Sequence, residues 1–194
     1  MSPRGRRPGA PDTRAAILAA ARERFAEGGF AGTSVRSVAA AAGVDAALVH
    51  HYFGTKDDLF LAALELRVDP RAVLRPVVEA GLPGAGERLV HVLLDVWDEE
   101  ETRLPLLAVL RGIGEPSGQR LLRDGVLRMV LGPVVAGLGV DQPERRAALL
   151  ATQLVGVVVL RYLLEAEPLA SAGREELVAT YAPVVQRFLA DPLP

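Results

Sequence analysis

Residues 33–59, TSVRSVAAAAGVDAALVHHYFGTKDDL, contain two short helical patterns with a glycine between them. The first pattern has apolar residues at the i, i+3, i+4 and i+7 positions of one helix face: Val35, Val38, Ala39 and Ala42. Thr33 or Ser34 can cap the start of this helix with a side-chain oxygen, and Gly43 is suited to end it. The sequence therefore predicts a helix of about two turns here.

A second short helix follows almost at once. Asp45 can cap a helix that runs to about Phe53, so only the Gly43-Val44 turn separates the two helices. Val44, Val49 and Phe53 are expected to face inward. Two short helices joined by so tight a glycine turn are typical of a helix-turn-helix.

Helical patterns also flank this motif. Asp12 or Thr13 can cap an earlier helix that ends at Gly28-Gly29, with apolar residues on one face: Ile17, Leu18, Ala21 and Phe25. A further helix is expected over residues 56–66. Residues 1–11 are rich in Arg, Pro and Gly without an apolar period, which predicts a disordered basic arm. We therefore place a first domain at residues 12–67.

The remaining residues, 68–194, form a string of helical patterns divided by loops rich in Gly and Pro. The β-branched run at 154–160 would suit a strand, but helix-forming residues flank it on both sides. We expect one long apolar helix over 143–165 and a striped last helix over 174–190. The predicted fold is all-α, with an N-terminal three-helix helix-turn-helix domain and a larger C-terminal helical domain.

Composition excludes several classes of function. The 194 residues include no cysteine and carry a net charge of −2. Disulfides, thiolate zinc sites and cysteine nucleophiles are therefore excluded. The first residues lack the apolar stretch of a secretory signal. Thr152, Gln153 and Arg161 interrupt the apolar stretches within 147–164, so none of these stretches reaches the roughly 18 to 20 residues of a membrane span. We predict a soluble cytoplasmic protein.

The stretch VHHYFGTK at 49–56 holds two of the three histidines, which suggests a metal site, a catalytic pair or a partner contact. Neighbouring helical residues point about 100° apart, so His50 and His51 cannot both approach one ion. The nearby carboxylates have ordinary capping or solvated roles. We therefore predict no metal, no cofactor and no catalytic residue.

DNA is the partner that fits this stretch. In a major groove, the helix after Gly43 would present Ala46, Ala47 and His50 to the bases, and Leu48 or an alanine methyl to a thymine methyl. The side chains suited to the flanking phosphates are Thr33, His51, Tyr52 and Lys56. The arm resembles those that enter a narrow minor groove, through Arg4, Arg6 and Arg7; a solvated tail is the alternative.

The segment from Thr33 to Leu59 resembles the DNA-binding domain of the TetR family of bacterial transcriptional regulators. The residues in register with the family pattern are Thr33, Val35, Arg36, Ala39, Ala42, Gly43, Val44, Tyr52, Phe53, Lys56 and Leu59. Through this match, Arg36 joins the predicted DNA contacts. The chain departs from the pattern at Asp45, Ala47, Val49 and His50, where the family usually carries serine, glycine, leucine and tyrosine. His50 matters most, because it replaces a tyrosine that contacts a base or a phosphate.

The resemblance implies a ligand-responsive regulator, most often a repressor, that binds a pseudo-palindromic operator as a homodimer. It also implies a dimer interface formed by the last two long helices and a small-molecule pocket in the second domain. Two-fold symmetry would place the two reading helices about 34 to 36 Å apart, or a multiple of that. Our candidates for the pocket are polar or aromatic residues within apolar stretches: His91, Trp97, Arg111, Gln153, Arg161 and Tyr162.

Two other classes stay open at this point. A helical enzyme would need a paired acid and base, which the sequence does not offer. A binding or interaction module that kept the fold but lost DNA binding is suggested by the near-neutral first domain and the missing tyrosine. Retention of DNA from a random pool at low salt separates this module from a regulator.

Overall fold

The computed structural model describes residues 12–66 and 68–193, and every regular element among them is helical. An all-α fold is therefore confirmed. The chain divides into two compact units, one ending at Leu64 and the other beginning at Glu65. The predicted arm, with Arg4, Arg6 and Arg7, lies outside the described residues.

The first helix, α1, spans Thr13–Gly32 and is capped by Asp12, whose carboxylate accepts a hydrogen bond from the backbone N–H of Arg14 at 3.1 Å. Gly29 interrupts the helix, with φ 66° and ψ −176°. Glycine tolerates this conformation because it lacks a Cβ atom. The predicted stop at Gly28-Gly29 is thus a kink, after which a short further turn places Phe30 in the core.

The predicted helix-turn-helix is confirmed as α2 (Val35–Ala42) and α3 (Ala46–Phe53). Of the two candidate caps for α2, Ser34 fills the position, and its hydroxyl accepts from the backbone N–H of Ser37 at 3.0 Å. Gly43 ends α2 in the left-handed conformation, with φ 68°. That turn lets the chain change direction within two residues, so that Asp45 caps α3 and Ala46 is its first residue.

Helix α4 (Lys56–Ala63) completes the first unit and ends three residues earlier than the sequence predicts. Its Thr55 cap forms a reciprocal pair of hydrogen bonds with Asp58. Phe60 of α4 meets Phe25 of α1 edge to face, with ring centroids 4.9 Å apart. The core formed in this way is a rigid base for α2 and α3.

The second unit contains α5 (Pro70–Glu79), α6 (Ala85–Asp98), α7 (Glu100–Arg111), α8 (Pro116–Arg123), α9 (Gly132–Gly137), α10 (Pro143–Val158) and α11 (Arg174–Ala190). A 3-10 turn follows α7, and π-helical segments at Asp124–Leu131 and Val159–Leu163 follow α8 and α10. The bounds predicted for the last helix are confirmed. Pro105 and Pro183 lie inside α7 and α11, and Pro133 is the second residue of α9.

Helices α6 and α11 pack with their backbones in close approach. A Cβ atom on Gly86 would lie 2.6 Å from the carbonyl oxygen of Ala182, so the contact requires glycine. The Gly86 N–H also donates to Oε1 of Gln186 at 2.9 Å. Around this contact lies the core of the unit, with fully buried side chains that include Leu94, Leu150, Leu177 and Val185.

Arg146 joins the start of α10 to the end of α11. The residue is 2% exposed, and its guanidinium donates to the carbonyl oxygens of Asp141 at 2.8 Å, Phe188 at 2.6 Å and Asp191 at 3.0 Å. Its hydrogen bond to the Asp141 carboxylate lowers the pKa of that group. The buried cation therefore satisfies backbone acceptors at the end of α11.

One helical stretch among the described residues, Pro143–Leu163, has the length and composition of a membrane span, with a mean hydropathy of 1.5. Uninterrupted apolar runs predict no such segment, because Thr152, Gln153 and Arg161 interrupt them. Leu150, Leu154 and Val157 of this stretch are buried in the second unit. A third of the apolar window in this stretch is buried in this way.

Candidate nucleic-acid interface and ligand pocket

Helix α3 is fixed at both ends by local hydrogen bonds. The Asp45 carboxylate accepts from the backbone N–H of Ala47 at 2.7 Å. At the other end, the N–H of Gly54 donates to the carbonyl oxygen of His50 at 2.9 Å, and Gly54 turns the chain with φ 76°. Val49 is 1% exposed and Phe53 is 9% exposed, so they anchor the helix as predicted. The opposite face of α3 is held in a defined orientation.

Helix α3 carries six of the twelve side chains predicted to contact DNA. The exposed residues are Ala47, Leu48, His50, His51 and Tyr52, and Ala46 is partly buried. Leu48 and Tyr52 are large apolar or amphipathic side chains, yet they are 38% and 43% exposed. Exposed side chains of this kind on a short, well-anchored helix are suited to contact with a partner.

The imidazole of His50 makes a defined contact at the end of α3. Its Nδ1 lies 2.8 Å from the carbonyl oxygen of Gly54. Because a carbonyl oxygen only accepts hydrogen bonds, Nδ1 carries the hydrogen and Nε2 is the acceptor of the neutral ring. The tyrosine usual at this position would offer a hydroxyl, whereas His50 offers one acceptor nitrogen.

Lys56 and Arg36 lie on either side of α3 in the sequence. The Nζ of Lys56 lies 4.2 Å from the ring centroid of Phe30, which fixes the ammonium over an aromatic face. Arg36 is exposed on α2. Both placements are compatible with contacts to phosphates.

Thr33 is the predicted DNA contact that the structure places differently. Its side chain is 4% exposed, and its hydroxyl donates to the carbonyl oxygen of Arg24 at 2.8 Å. The hydroxyl hydrogen is therefore used inside the unit, where it holds the end of α1. This placement does not support the predicted donation from Thr33 to a phosphate oxygen.

Within residues 12–66 and 68–193, no three His, Asp or Glu side chains form a group that could hold a metal ion. His50 and His51 point in different directions on α3, as their adjacency requires. The aromatic ring next to His51 is Tyr52, with centroids 5.5 Å apart.

The second unit contains a partly open apolar cavity of about 180 Å³. Its wall is formed by side chains from α5, α6, α7 and α10, together with residues from α8 and the π-helical segment after α8. Among the six pocket candidates from the sequence, Trp97 lines this cavity. The described wall contains Thr102 as its one other side chain with a polar atom.

The other five candidates do not line this cavity. Tyr162 stacks on Trp97 from outside, with centroids 5.6 Å apart, and Arg161 donates to the carbonyl oxygens of Leu169 and Ala172, at 2.8 Å each. His91 lies 3.9 Å from a carboxylate oxygen of Glu87. Arg111 is exposed, and Gln153 lies beside Thr152. Four of these five side chains, all but Arg111, thus make contacts that a position within an apolar stretch does not reveal.

Behind the cavity wall lies a polar group centred on Asp98. The Tyr162 hydroxyl donates to Asp98 Oδ1 at 2.8 Å, and Arg161 Nη2 lies 3.9 Å from the same oxygen. Burial of the phenol, followed by its hydrogen bond to Asp98, raises the pKa of Tyr162 to about 12. The group links the end of α6 to the π-helical end of α10.

The cavity-lining residues that sequence reasoning missed are aliphatic, such as Val92, Val96, Leu106 and Val130. Their spacing is that of any core-facing helix stripe. A search for polar residues within apolar stretches cannot find a wall that is itself apolar.

Comparisons with known proteins cover both units. Residues 17–63 match the bacterial regulatory proteins of the tetR family, and residues 84–189 match the tetracyclin repressor-like C-terminal domain. A crystal structure of a TetR-family regulator from Streptomyces coelicolor A3 is 40% identical in sequence, with a TM-score of 0.52; the match covers 96% of this chain and 99% of that one.

Two curated relatives are named as regulators. An HTH-type transcriptional repressor of Mycobacterium tuberculosis is 36% identical over 110 residues, which are 53% of this chain and 58% of the repressor. The chain thus spans little more than half the length of that relative. The HTH-type transcriptional regulator BetI of Agrobacterium fabrum is 29% identical over 181 residues, 88% of this chain and 86% of BetI.

An exposed, doubly anchored second helix in a helix-turn-helix unit, followed by a larger helical unit with an internal cavity, defines a helix-turn-helix transcriptional regulator. The matches to both units then place it among its relatives. The chain belongs to the TetR family of bacterial transcriptional regulators.

Proposed function

We propose that the chain is a repressor that binds a pseudo-palindromic DNA operator as a homodimer and leaves it when a small-molecule effector binds. The observation that carries this proposal is the exposed face of α3, with Ala47, Leu48 and His50 directed away from a buried anchor. The small side chain of Ala47 lets the helix backbone approach base edges closely. Leu48 offers an apolar contact for a thymine methyl group.

Phosphate contacts would position this helix in the groove. Tyr52 presents an exposed hydroxyl, and Lys56 and Arg36 present cations near the two ends of the motif. Such contacts fix the register of a protein on DNA without reading sequence. The base sequence would then be recognised by the exposed side chains of α3.

Dimerisation is supported by apolar side chains exposed on the last helices of the second unit. Leu160 is 45% exposed, Leu164 is 61% exposed and Val184 is 37% exposed. Leaving such side chains in water is costly, and covering them with a second copy removes the cost. A two-fold dimer would repeat the α3 face on DNA and require a palindromic site.

The effector response is supported by the cavity of about 180 Å³ in the second unit. A ligand that binds one conformer of the protein better than another shifts the population toward it. Release follows when the favoured conformer holds its two α3 helices at a spacing that the operator does not match. A relative named as a repressor supports the direction of the response.

Selection of bound duplexes from a random DNA pool tests the proposal. We expect a pseudo-palindromic consensus with half-site centres about one helical turn apart, or a multiple of that. The matched pair of variants is Ala47→Glu on the exposed face of α3 and Ala19→Glu on the exposed side of α1. Both add one negative charge per chain, and Ala47→Glu alone is expected to abolish retention of DNA.

Sedimentation velocity tests the dimer with the same logic. Leu160→Arg places a charge on the proposed interface, and Leu104→Arg places it on α7, where Leu104 is 53% exposed. We expect monomers from Leu160→Arg and wild-type dimers from Leu104→Arg. Equal sedimentation of the two variants would show that Leu160 is not part of the interface.

A further inference from the structure

The wall of the cavity in the second unit bears no charged side chain among its described residues. We propose that the effector is a small, uncharged, predominantly apolar molecule, of the size of one aromatic ring with a short substituent. This inference rests on the proposed function, since it names the chemical class of the effector.

The described part of the wall offers no partner to a charged ligand. Thr102 is one of two described lining residues with a polar side-chain atom, and its hydroxyl already donates toward the carbonyl oxygens of Val96 and Glu99. The remaining surface consists of side chains such as Val92, Leu106 and Val155. A charge moved from water into such a site loses its hydration without a partner, which costs far more than apolar contacts return.

Two charged groups beside Trp97 and Tyr162 make contacts of their own, although the buried Nε of Arg161 has no hydrogen-bond partner among the described residues. Arg161 donates to the carbonyl oxygens of Leu169 and Ala172, at 2.8 Å each. Asp98 accepts from the Tyr162 hydroxyl at 2.8 Å. The stacked rings of Trp97 and Tyr162 lie on this side of the cavity. A ligand therefore meets the flat face or edge of an indole there rather than an ion.

The size of the cavity limits the ligand. Its volume of about 180 Å³ slightly exceeds the roughly 150 Å³ of an apolar protein cavity that takes benzene. A substituted benzene of ~6 to 9 non-hydrogen atoms fits that volume. Dispersion contacts with the surrounding valines and leucines, and with the aromatic ring of Trp97, supply the affinity.

Trp97 makes the inference directly measurable, because it is the one tryptophan in the chain and lines the cavity. Iodobenzene quenches tryptophan emission through its heavy atom when the two are in contact. Since Trp97 is 9% exposed, random collisions from water quench it weakly. We expect iodobenzene to quench the emission of the full-length protein along a saturable curve, and fluorobenzene to reverse the quenching by competition.

Charge is tested with 4-iodobenzoate, which has the same heavy atom on a carboxylated ring. We expect quenching that rises linearly without saturation, as for collisions in solution. Saturable quenching by 4-iodobenzoate at the same or a lower concentration than iodobenzene would overturn the proposed class, as would the absence of saturation with iodobenzene.

A matched pair of α7 variants locates the bound probe. Val109 lines the cavity, and its neighbour Ala108 is exposed. Val109→Phe fills part of the cavity and should raise the iodobenzene concentration that gives half-maximal quenching at least tenfold. Ala108→Phe should leave that concentration unchanged. Circular dichroism shows whether each variant is folded. If Val109→Phe does not fold, Val126→Phe fills the same cavity from the π-helical segment. Equal quenching of folded cavity-filled and control variants would overturn the location.

The DNA readout is kept separate from the binding readout. Saturable quenching by iodobenzene with no release of the selected operator would leave the ligand class standing and count against the effector response of the proposed function. Operator binding without saturable quenching would count against the ligand class and leave the proposed function standing.

Discussion

The Nδ1 of His50 lies 2.8 Å from the carbonyl oxygen of Gly54, one turn further along the chain. This contact fixes the ring and makes Nε2 the acceptor of its neutral form. In a major groove, an acceptor on the protein matches the exocyclic amino groups of adenine and cytosine. If α3 enters the groove as we propose, the histidine that replaces the usual tyrosine would have a base preference of its own.

The tautomer of His50 can be measured directly. Long-range proton–nitrogen correlation by NMR should show Nδ1 protonated and Nε2 unprotonated in the neutral ring, because the Gly54 carbonyl requires a donor. His51, for which Tyr52 is the neighbouring ring, is the internal comparison. A neutral His50 with its proton on Nε2 would contradict the contact.

Lys56 should contribute one ionic contact to DNA. Lys56→Met keeps the apolar stem over Phe30 and removes the charge, so the slope of log affinity against log salt should become shallower by about 1 per protomer, or about 2 for the proposed homodimer. Affinity should drop about equally for specific and non-specific DNA. Lys56→Arg should retain the slope, and an unchanged slope in Lys56→Met would show that this ammonium does not contact phosphate.

Local signals were sufficient to predict the reading helix. Asp45 as a cap and Gly43 in a left-handed turn are short-range requirements, so α3 ends where the sequence placed its ends. The same signals do not decide whether Thr33 or Ser34 caps α2. Both suit a cap, and the burial of Thr33 against Arg24 is set by contacts with α1.

The cavity could not be predicted, because its wall is assembled from residues as distant in the chain as Val73 and Val158. Each of them reads as an ordinary core residue. Arg161 stood out in an apolar stretch and suggested a ligand contact, but it binds the carbonyl oxygens of the loop before α11. The sequence shows such a cation without showing what satisfies it.

Arg146 should matter for stability far more than its neighbour. Arg146→Ala leaves the carbonyl oxygens of Phe188 and Asp191 without this buried donor, so we expect a loss of about 2 kcal/mol in the free energy of unfolding. Arg145→Ala changes an exposed residue and should cost no more than about 0.5 kcal/mol. Urea unfolding at one fixed protein concentration measures both. Equal losses of unfolding free energy in the two variants would show that the buried contacts of Arg146 do not stabilise the fold.

Tyr162 should resist ionisation at high pH. Its pKa is raised from 10.0 to about 12, so its neutral form favours the folded state below pH 10 and this contribution disappears as the pH rises through 12. Tyrosinate absorbance of the wild type, which has three tyrosines, should show one late step. Tyr162→Phe should lack that step and lose less stability between pH 10 and 12. A late step that persists in the variant would belong to another tyrosine.

Repeating the selection from a random DNA pool with His50→Arg tests most directly whether the exposed face of α3 reads the operator. The wild type should select adenine or cytosine at one position of each half-site, where Nε2 accepts from an amino group. Because arginine prefers guanine, His50→Arg should change that position to guanine, symmetrically in both half-sites, and leave the rest of the consensus intact. An identical consensus from both proteins would contradict the account, since His50 would then not face the bases.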